Sequence, residues 1–365
     1  AAADVLSPKA GPAERLLVPE GEQVRIGTPL MHLRLAAPST GGNQAPETPY
    51  LIAPRQRATS TVGNAVTLAA GQRLHVGIAG LASAKGARVV NNEELLQRFP
   101  GKLNEEVVRH TGIGSRHWIG EGESVETLAA DAARKLFAGQ EAHISDIDYV
   151  LCATTTPDRA SPSLACRVLH ALGGKAECPA LDFSAACSGY LYGLRLAADF
   201  LQGKPDGKVL LITSEVFSPL LRGEDYDTDI LFGDAATATL VSGPSADGHT
   251  LLNVQSPVIS ALGDESLSVP LYGGVDGMHM RGGRVFHQAV RRMGAMLHRA
   301  CEERGVSIDG LDGIIPHQAN LRILEAMARQ LKVENERVWR NIATVGNTSS
   351  SSIPLCLEAY LDQLR

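Results

Sequence analysis

From Leu74 onward the chain alternates short apolar, β-favouring runs with amphipathic segments of helical period. This alternation limits the fold more than any other property of the sequence. The strand-like runs are Val76 to Gly80, Tyr149 to Thr155, Val209 to Ser214 and Ala236 to Val241. Glu94 to Arg98, Ser124 to Phe137, Ser163 to Leu172 and Ser188 to Leu201 carry apolar residues at helical spacing. Strands joined through helices need those helices on the faces of the sheet, so a layered α/β arrangement is predicted. The theme recurs in a second half. Leu251 to Val258 reads as a strand, Gly283 to Glu303 as a long helix, Gly313 to Pro316 as a strand end, and Leu321 to Leu331 and Ser350 to Leu364 as helices. The repeated order points to an internal duplication. At 365 residues and 44% hydrophobic content, the chain has apolar material for two or three domains.

The first 73 residues differ. Residues 1 to 35 read as short strands and turns, among them Glu14 to Val18 and Leu30 to Leu35, a small all-β unit. In the stretch SPKAGPAERLLVPEGEQVRIGTPLMHL, the order of turn glycines and alternating Leu and Val resembles the second half of a lipoyl or biotinyl domain. That resemblance implies a lipoate-bearing lysine in a hairpin turn just before Ala1. Lys9 sits where that family does not place its acceptor. An unrelated β-rich extension is the plainer alternative. Ala36 to Arg73 shifts to Ala, Pro, Thr, Gly and Gln, the composition of a flexible linker.

Composition excludes several classes of function. With 34 basic against 40 acidic residues, a formal net charge of −6 and no basic cluster, nucleic acid is not an expected partner. Six cysteines without a CxxC pair read as reduced thiols, and the expected location is the cytoplasm. No apolar run reaches the roughly 20 residues of a membrane-spanning helix, and Ala1 to Lys9 is not shaped like a signal peptide.

Three residues carry potential chemistry. Cys187 follows the apolar stretch Pro179 to Ala186 and precedes Ser188-Gly189, where a helix opens, so it is placed on a strand-to-helix turn. At a helix N-terminus, free backbone N–H groups favour a thiolate, and a lowered pKa is expected there. His317 lies where a strand-like run stops at Pro316, and Asn347 lies in Gly346-Asn347-Thr348-Ser349-Ser350. Taken singly, Cys187 reads as a buried structural thiol, His317 as a satisfied loop residue and Asn347 as turn or N-cap chemistry.

Together, DFSAACSGYLYGL around Cys187, PHQANLRIL around His317 and GNTSSSSIPL around Asn347 resemble the three active-site motifs of β-ketoacyl-acyl carrier protein synthase III. The resemblance extends to TGIGSRHWIG, ATTTPDRASPSLACRV, ILFGDAATATLV and MHMRGGRVFHQAVRRM, and covers nearly all of residues 74 to 365. It implies the thiolase fold: two duplicated α/β halves in five layers, the first over 74 to 243 and the second over 244 to 365. It implies a homodimer that condenses an acyl thioester primer with malonyl-acyl carrier protein through acyl-Cys187, in fatty acid or polyketide biosynthesis. His317 and Asn347 then serve as neutral donors to the enolate, and condensation requires no cofactor.

The resemblance also carries expectations about binding, and some departures. Asn320 and Arg322 are expected to meet carrier or substrate, with Arg329 and Lys332 extending an acyl-carrier-protein docking face. Glu106 and Tyr226 stand near the positions of the Trp and Arg that clasp coenzyme A. Ser161 replaces an aromatic that reaches across the dimer into the acyl pocket, which implies a roomier pocket and a primer bulkier than acetyl. Arg365 falls inside the helix after Asn347, where the family continues into a closing strand pair, so the sequence reads as a fragment. A lipoyl-like module on a tether further suggests that a 2-oxo acid dehydrogenase component supplies the acyl group. Three rivals stand beside this reading. They are a non-decarboxylating acyltransferase of the same fold, the acyltransferase of 2-oxo acid dehydrogenases, and a non-catalytic partner subunit. The second needs a His-x-x-x-Asp-Gly motif, and Gly273-Gly274-Val275-Asp276-Gly277 lacks the histidine. The third usually lacks the nucleophile.

Overall fold

The computed structural model describes Ala13–Leu16, Met31–Leu33 and residues 75–361 except 222, 224, 245, 247–249, 264–266 and 270–277. The chain divides into Ala1–Thr67 and Leu68–Arg365, a boundary inside the segment expected to be a linker. In the first unit, Ala13–Leu16 pairs antiparallel with Met31–Leu33, with Leu16 opposite Met31. Both strands fall where short strands are expected. Lys9 and the rest of the lipoyl-like segment, with its lipoate site, lie outside the described residues.

The second unit is built on a six-stranded sheet. Its strands are β1 (His75–Lys85), β2 (Tyr149–Ala153), β3 (Ala180–Phe183), β4 (Lys208–Glu215), β5 (Ala235–Ser242) and β6 (Leu252–Gln255), in the order β6-β1-β5-β4-β2-β3. β2 runs parallel to β3 and β4, and the remaining neighbours are antiparallel. Every residue of β5 is buried, because helices cover both faces of the sheet. Alternate side chains go to opposite faces. Val150, Cys152, Leu210 and Ile212 pack with α1 (Val125–Ala138) and α2 (Leu164–Ala171). Leu151, Val209 and Leu211 meet Tyr190, Leu194, Ala197 and Leu201 of α3 (Gly189–Gln202).

Local chemistry sets where the helices start. The Ser124 side chain accepts from Thr127 N–H at 3.2 Å while Ser124 N–H donates to Thr127 Oγ1 at 2.7 Å, a capping box at the head of α1. The Asp182 carboxylate on β3 accepts from Leu164 and Ala165 N–H at 2.6 and 2.7 Å, fastening the start of α2. The helix expected over Glu94 to Arg98 runs instead over Asn92–Leu96, because Asn91 Oδ1 accepts from Glu94 N–H at 2.8 Å and starts it earlier.

The second half differs from expectation at two strands. Leu252–Gln255 does not open a new sheet. It forms the outer strand of the first sheet, antiparallel to β1, with Leu252 opposite Ile78. Its half-buried Leu252 and Val254 alternate with exposed Asn253 and Gln255, which suits an outer strand. The strand end expected at Gly313 to Pro316 is reduced to a bridge between Ile314 and Val338. Leu267–Ser268 pairs with His279–Met280, and no larger second sheet forms among the described residues. Helices α4 (Gly282–Glu302) and α5 (Leu321–Leu331) pack together through Met293, Leu297, Leu324 and Met327. The helix expected from Ser350 begins at Ser352 as α6 (Ser352–Tyr360), preceded by a tight turn over Ser349–Ser351. No helix among the described residues is long and apolar enough to cross a membrane.

Helix α3 lies so close to the sheet that a Cβ on Gly193 would stand 2.3 Å from Leu211 Cδ1. Gly193→Val is therefore expected to lower the urea midpoint by an amount equivalent to about 1–3 kcal/mol. Gly203→Ala, whose added carbon would meet nothing nearer than 3.6 Å, should stay close to wild type. Equal behaviour of the two variants would contradict this packing.

Candidate active site

β3 ends at Phe183, and Ala186–Ser188 form a tight turn that feeds α3. Ala186 takes φ of 46°, a left-handed conformation that strains an L-residue, and it delivers Cys187 to the mouth of the helix. Gly189 admits the helix start between β2 and a facing loop: a Cβ there would lie 2.9 Å from both Ala153 Cβ and Ser350 Cβ.

The facing loop runs from Gly346 to Ser352. Gly346 has φ of 69°, and a side chain on it would lie 2.8 Å from Leu231 O. This close approach lets Asn347 N–H donate to Leu231 O at 2.8 Å while Asn347 O accepts from Gly233 N–H at 3.0 Å. Asn347 Oδ1 accepts from Ser349 N–H at 2.9 Å, and its Nδ2 has no acceptor among the described residues. The four serines that follow go to four places. Ser349, itself at φ of 49°, donates to Cys187 Sγ at 3.8 Å. Ser350 donates to Glu215 Oε1 at 2.7 Å. Ser351 donates to Ala235 O at 3.1 Å and meets Thr213 Oγ1 at 2.8 Å. Ser352 Oγ lies 2.7 Å from His317 Nδ1 and also accepts from Gln318 N–H at 3.3 Å. Gln318 is fully buried and pins the histidine turn, donating to Pro316 O at 2.9 Å and Trp339 O at 3.2 Å.

Electrostatics run against one expectation. Burial pushes the Cys187 thiol up to about 11, the Ser349 hydrogen bond acts in the opposite direction, and the Glu215 charge adds to the rise. This rise runs opposite to the lowered pKa expected at a helix N-terminus, because withdrawing the thiolate from water is the largest effect on it. Burial draws His317 down to about 4, which keeps the imidazole neutral. Burial also raises Glu215, although Ser350, Thr155 and Thr156 hydrogen-bond to its carboxylate.

The Asn347–Ser352 loop thus ties half-buried Cys187, half-buried His317 and buried Asn347 into one site. A thiol, a neutral imidazole and a free amide N–H tied to one loop can form an acyl-sulfur bond and donate to an oxyanion. The other expected residues stand elsewhere. Asn320 is the N-cap of α5, accepting from Ile323 N–H at 3.0 Å, so its side chain is committed to the helix. Arg322 is exposed with its guanidinium 5.8 Å from the Phe286 ring centre, and Arg329 and Lys332 are also exposed. Ser161 is exposed, next to the cis Ser161–Pro162 bond, and does not touch the three-residue site. Tyr226 packs edge-on against Phe99 at 5.5 Å under Lys102 Nζ at 4.5 Å, and its hydroxyl is raised by burial and by the Glu106 charge. Sequence reasoning missed Ser349, Ser352 and Glu215. Four consecutive serines exceed what one helix cap uses, and Glu215 closes a strand whose centre, Val209 to Ile212, is apolar; both were readable signals.

Comparison with known proteins places these motifs. Residues 181–257, which include Cys187, match the family described as 3-oxoacyl-[acyl-carrier-protein (ACP)] synthase III, and residues 301–365, with His317 and Asn347, match its C-terminal family. The chain is 36% identical over 293 residues to a β-ketoacyl-[acyl-carrier-protein] synthase III of Oleidesulfovibrio alaskensis, covering 77% of this chain and 88% of that protein. It is similar to the crystal structure of 3-oxoacyl-(acyl carrier protein) synthase III from Pseudomonas aeruginosa, with TM-score 0.70 and 32% identity over 79% of this chain and 89% of that one. It is also similar to the priming β-ketosynthase of the R1128 polyketide pathway, with TM-score 0.68 and 27% identity over 80% and 89%. The fold is the thiolase-like α/β fold of these synthases. None of these names involves a 2-oxo acid dehydrogenase, and that partner gains no support.

Two pH effects follow. Alkylation of Cys187 by iodoacetamide, followed on its own peptide by mass spectrometry, should rise about tenfold per pH unit from about pH 7 to 9 without a plateau, since the thiolate stays a minor species. A plateau in that range would contradict the raised thiol. His317 binds its proton less well folded than unfolded, so folding stability should fall as pH drops from 6.5 towards about 4. His317→Gln should flatten that part of the Tm-against-pH curve, and an unchanged slope would contradict it.

Proposed function

The chain belongs to the 3-oxoacyl-[acyl-carrier-protein] synthase III family, and on that footing we propose that Cys187 carries the acyl group while His317 and Asn347 serve the second half of the reaction. The enzyme is a ketosynthase that condenses an acyl primer with malonyl-acyl carrier protein, releasing CO2 and forming a β-ketoacyl thioester. The electrons for the new carbon–carbon bond come from the bond broken in decarboxylation, so condensation calls for no redox cofactor.

In the first step Cys187 Sγ attacks the primer's thioester carbonyl, and the thiol proton leaves with the displaced carrier thiol. A thiol near 11 is poorly ionised at neutral pH, so deprotonation accompanies the attack rather than preceding it. In the second step malonyl loses CO2, and the enolate oxygen needs neutral donors. The step uses the tautomer in which Ser352 Oγ donates to His317 Nδ1 across their 2.7 Å contact, which leaves the imidazole proton on Nε2. Asn347, with Oδ1 occupied by Ser349 N–H, presents Nδ2. These two donors stabilise the enolate while its carbon attacks the acyl-sulfur carbonyl. The observation that carries this reading is the single loop that bonds to both Cys187 and His317 and contains Asn347.

The surrounding surface supports a reading of carrier and primer. Exposed Arg322, Arg329 and Lys332 on and after α5 form a docking face for an acidic acyl carrier protein. The enzyme acts as a homodimer, in which Ser161, exposed on its own chain, borders the partner's acyl pocket and leaves room for a primer bulkier than acetyl. Glu106 and Tyr226, standing near the positions of the Trp and Arg that clasp coenzyme A, support a carrier-bound primer.

Cys187→Ala should lower condensation by on the order of 10³-fold or more. Condensation retained near wild type would sink the proposal. Asn347→Ala should leave acylation within a few-fold of wild type while CO2 release from malonyl-acyl carrier protein falls on the order of 10²-fold. Arg322→Glu with Arg329→Glu should raise KM for malonyl-acyl carrier protein with little change in kcat, an effect that shrinks as salt is added. A change in kcat alone would count against the docking face.

A further inference from the structure

Glu215 ends β4 with no exposed surface, a carboxylate that the two half-reactions do not consume. Its Oε2 accepts from Thr155 N–H at 3.0 Å, Thr155 Oγ1 at 2.8 Å and Thr156 Oγ1 at 3.1 Å, and its Oε1 accepts from Ser350 Oγ at 2.7 Å. Three donors thus come from the segment after β2, and the fourth comes from the loop that carries Asn347. Thr156 Oγ1 also accepts from Val216 N–H at 2.8 Å, so this end of the clamp is bound back to the strand that bears Glu215.

A buried carboxylate is costly, and it is retained only where its partners are well satisfied. Here the partners are two peptide segments on opposite sides of Gly189, the residue that lets α3 begin next to Cys187. Ser350 sits between Ser349, which donates to Cys187 Sγ, and Ser351, which is anchored to β4 and β5 through Thr213 and Ala235. Ser352, bonded to His317, is two residues on. A shift at Ser350 is passed to its neighbour Ser349, and through Ser349 N–H to Asn347 Oδ1, while Ser351 is held on its own anchors. We propose that Glu215 is a positioning residue for the condensation half-reaction: through Ser350 and Ser349 it fixes the Asn347 amide that faces the enolate.

The inference rests on the assignment of Asn347 and His317 to the second half-reaction. It makes a distinction between charge and geometry. A glutamine at 215 can accept from the threonines through Oε1 and donate to Ser350 Oγ through Nε2, which keeps the clamp with one bond reversed. An alanine at 215, or at 350, breaks it.

The test separates acylation from condensation by rapid quench on the full protein. The primer is an acyl thioester on acyl carrier protein, and malonyl-acyl carrier protein is added in a second mix. Glu215→Ala and Ser350→Ala should each acylate Cys187 within a few-fold of wild type but condense on the order of 10²-fold more slowly. Glu215→Gln should recover most of the loss. Ser350→Ala removes one hydroxyl and so reads the clamp even if Glu215→Ala fails to fold. Condensation by Ser350→Ala at the wild-type rate would overturn the proposal, as would equal loss of both half-reactions together with a lowered Tm. Loss in Glu215→Gln as deep as in Glu215→Ala would also overturn it, since charge and not position would then be at work. Asn347→Ala serves as the reference. If it loses acylation instead of condensation, the assignment of Asn347 fails; if it shows the split and Ser350→Ala does not, the clamp alone fails.

Discussion

Asn347 is held between Leu231 and Gly233 by two main-chain hydrogen bonds of 2.8 and 3.0 Å, and the catalytic geometry hangs from that short parallel pairing. It joins the late part of the chain to the segment just before β5. Gly346, the residue that permits the approach, has the backbone of Leu231 on one side and the Arg116 side chain on the other. Arg116 is itself fully buried. It donates to Asn92 Oδ1 and Ile230 O at 2.7 Å each, and burial draws its pKa down to about 10. A buried cation is expensive to keep, the more so as Arg116 Nε has no partner among the described residues, and here it braces the antiparallel pair Arg88–Asn91 and Ser115–Trp118 against the same segment that holds Asn347. Once this pairing is made, the serines that follow have fixed destinations.

Burial then shapes the chemistry. Enclosing Cys187, His317 and Glu215 together disfavours every charged form except where a partner compensates, and the three respond in the directions that solvation dictates: thiol up, imidazole down, carboxyl up. The result is a resting site with a protonated thiol and a neutral imidazole. Such a site suits a reaction whose developing charge is an enolate, because neutral N–H donors stabilise it without holding a permanent positive charge in a poorly solvated pocket. Strain is concentrated in the same place. Of the three non-glycine residues with positive φ among those described, Ala186 and Ser349 flank the nucleophile from opposite sides.

Much of this was legible in the sequence where local rules decide. The apolar strands, the capped helix after Ser124 and the strand-to-helix turn at Cys187 follow from periodicity and capping, and the structure has them. What was not legible depends on contacts distant in the chain. Leu252–Gln255 has the pattern of any half-buried strand, and only its partner β1 decides which sheet it joins. Asn320 stands in the histidine motif yet spends its side chain on a cap, and Ser161 lies on an exposed turn. The lowered pKa expected at Cys187 rests on the helix end, a local feature, while the groups that act on its thiol include Glu215 and Ser349, the latter 162 residues later. The serine run reads as capping until its four hydroxyls are seen to part company.

The account turns on Cys187 as the group that holds the acyl chain. Peptide mass spectrometry of the protein offered an acyl-carrier-protein-bound primer alone tests this most directly. The account predicts one acyl mass on the peptide containing Cys187, stable until malonyl-acyl carrier protein is added and then discharged into product. An acyl group on any other residue, or turnover with no acyl-protein at all, would contradict it.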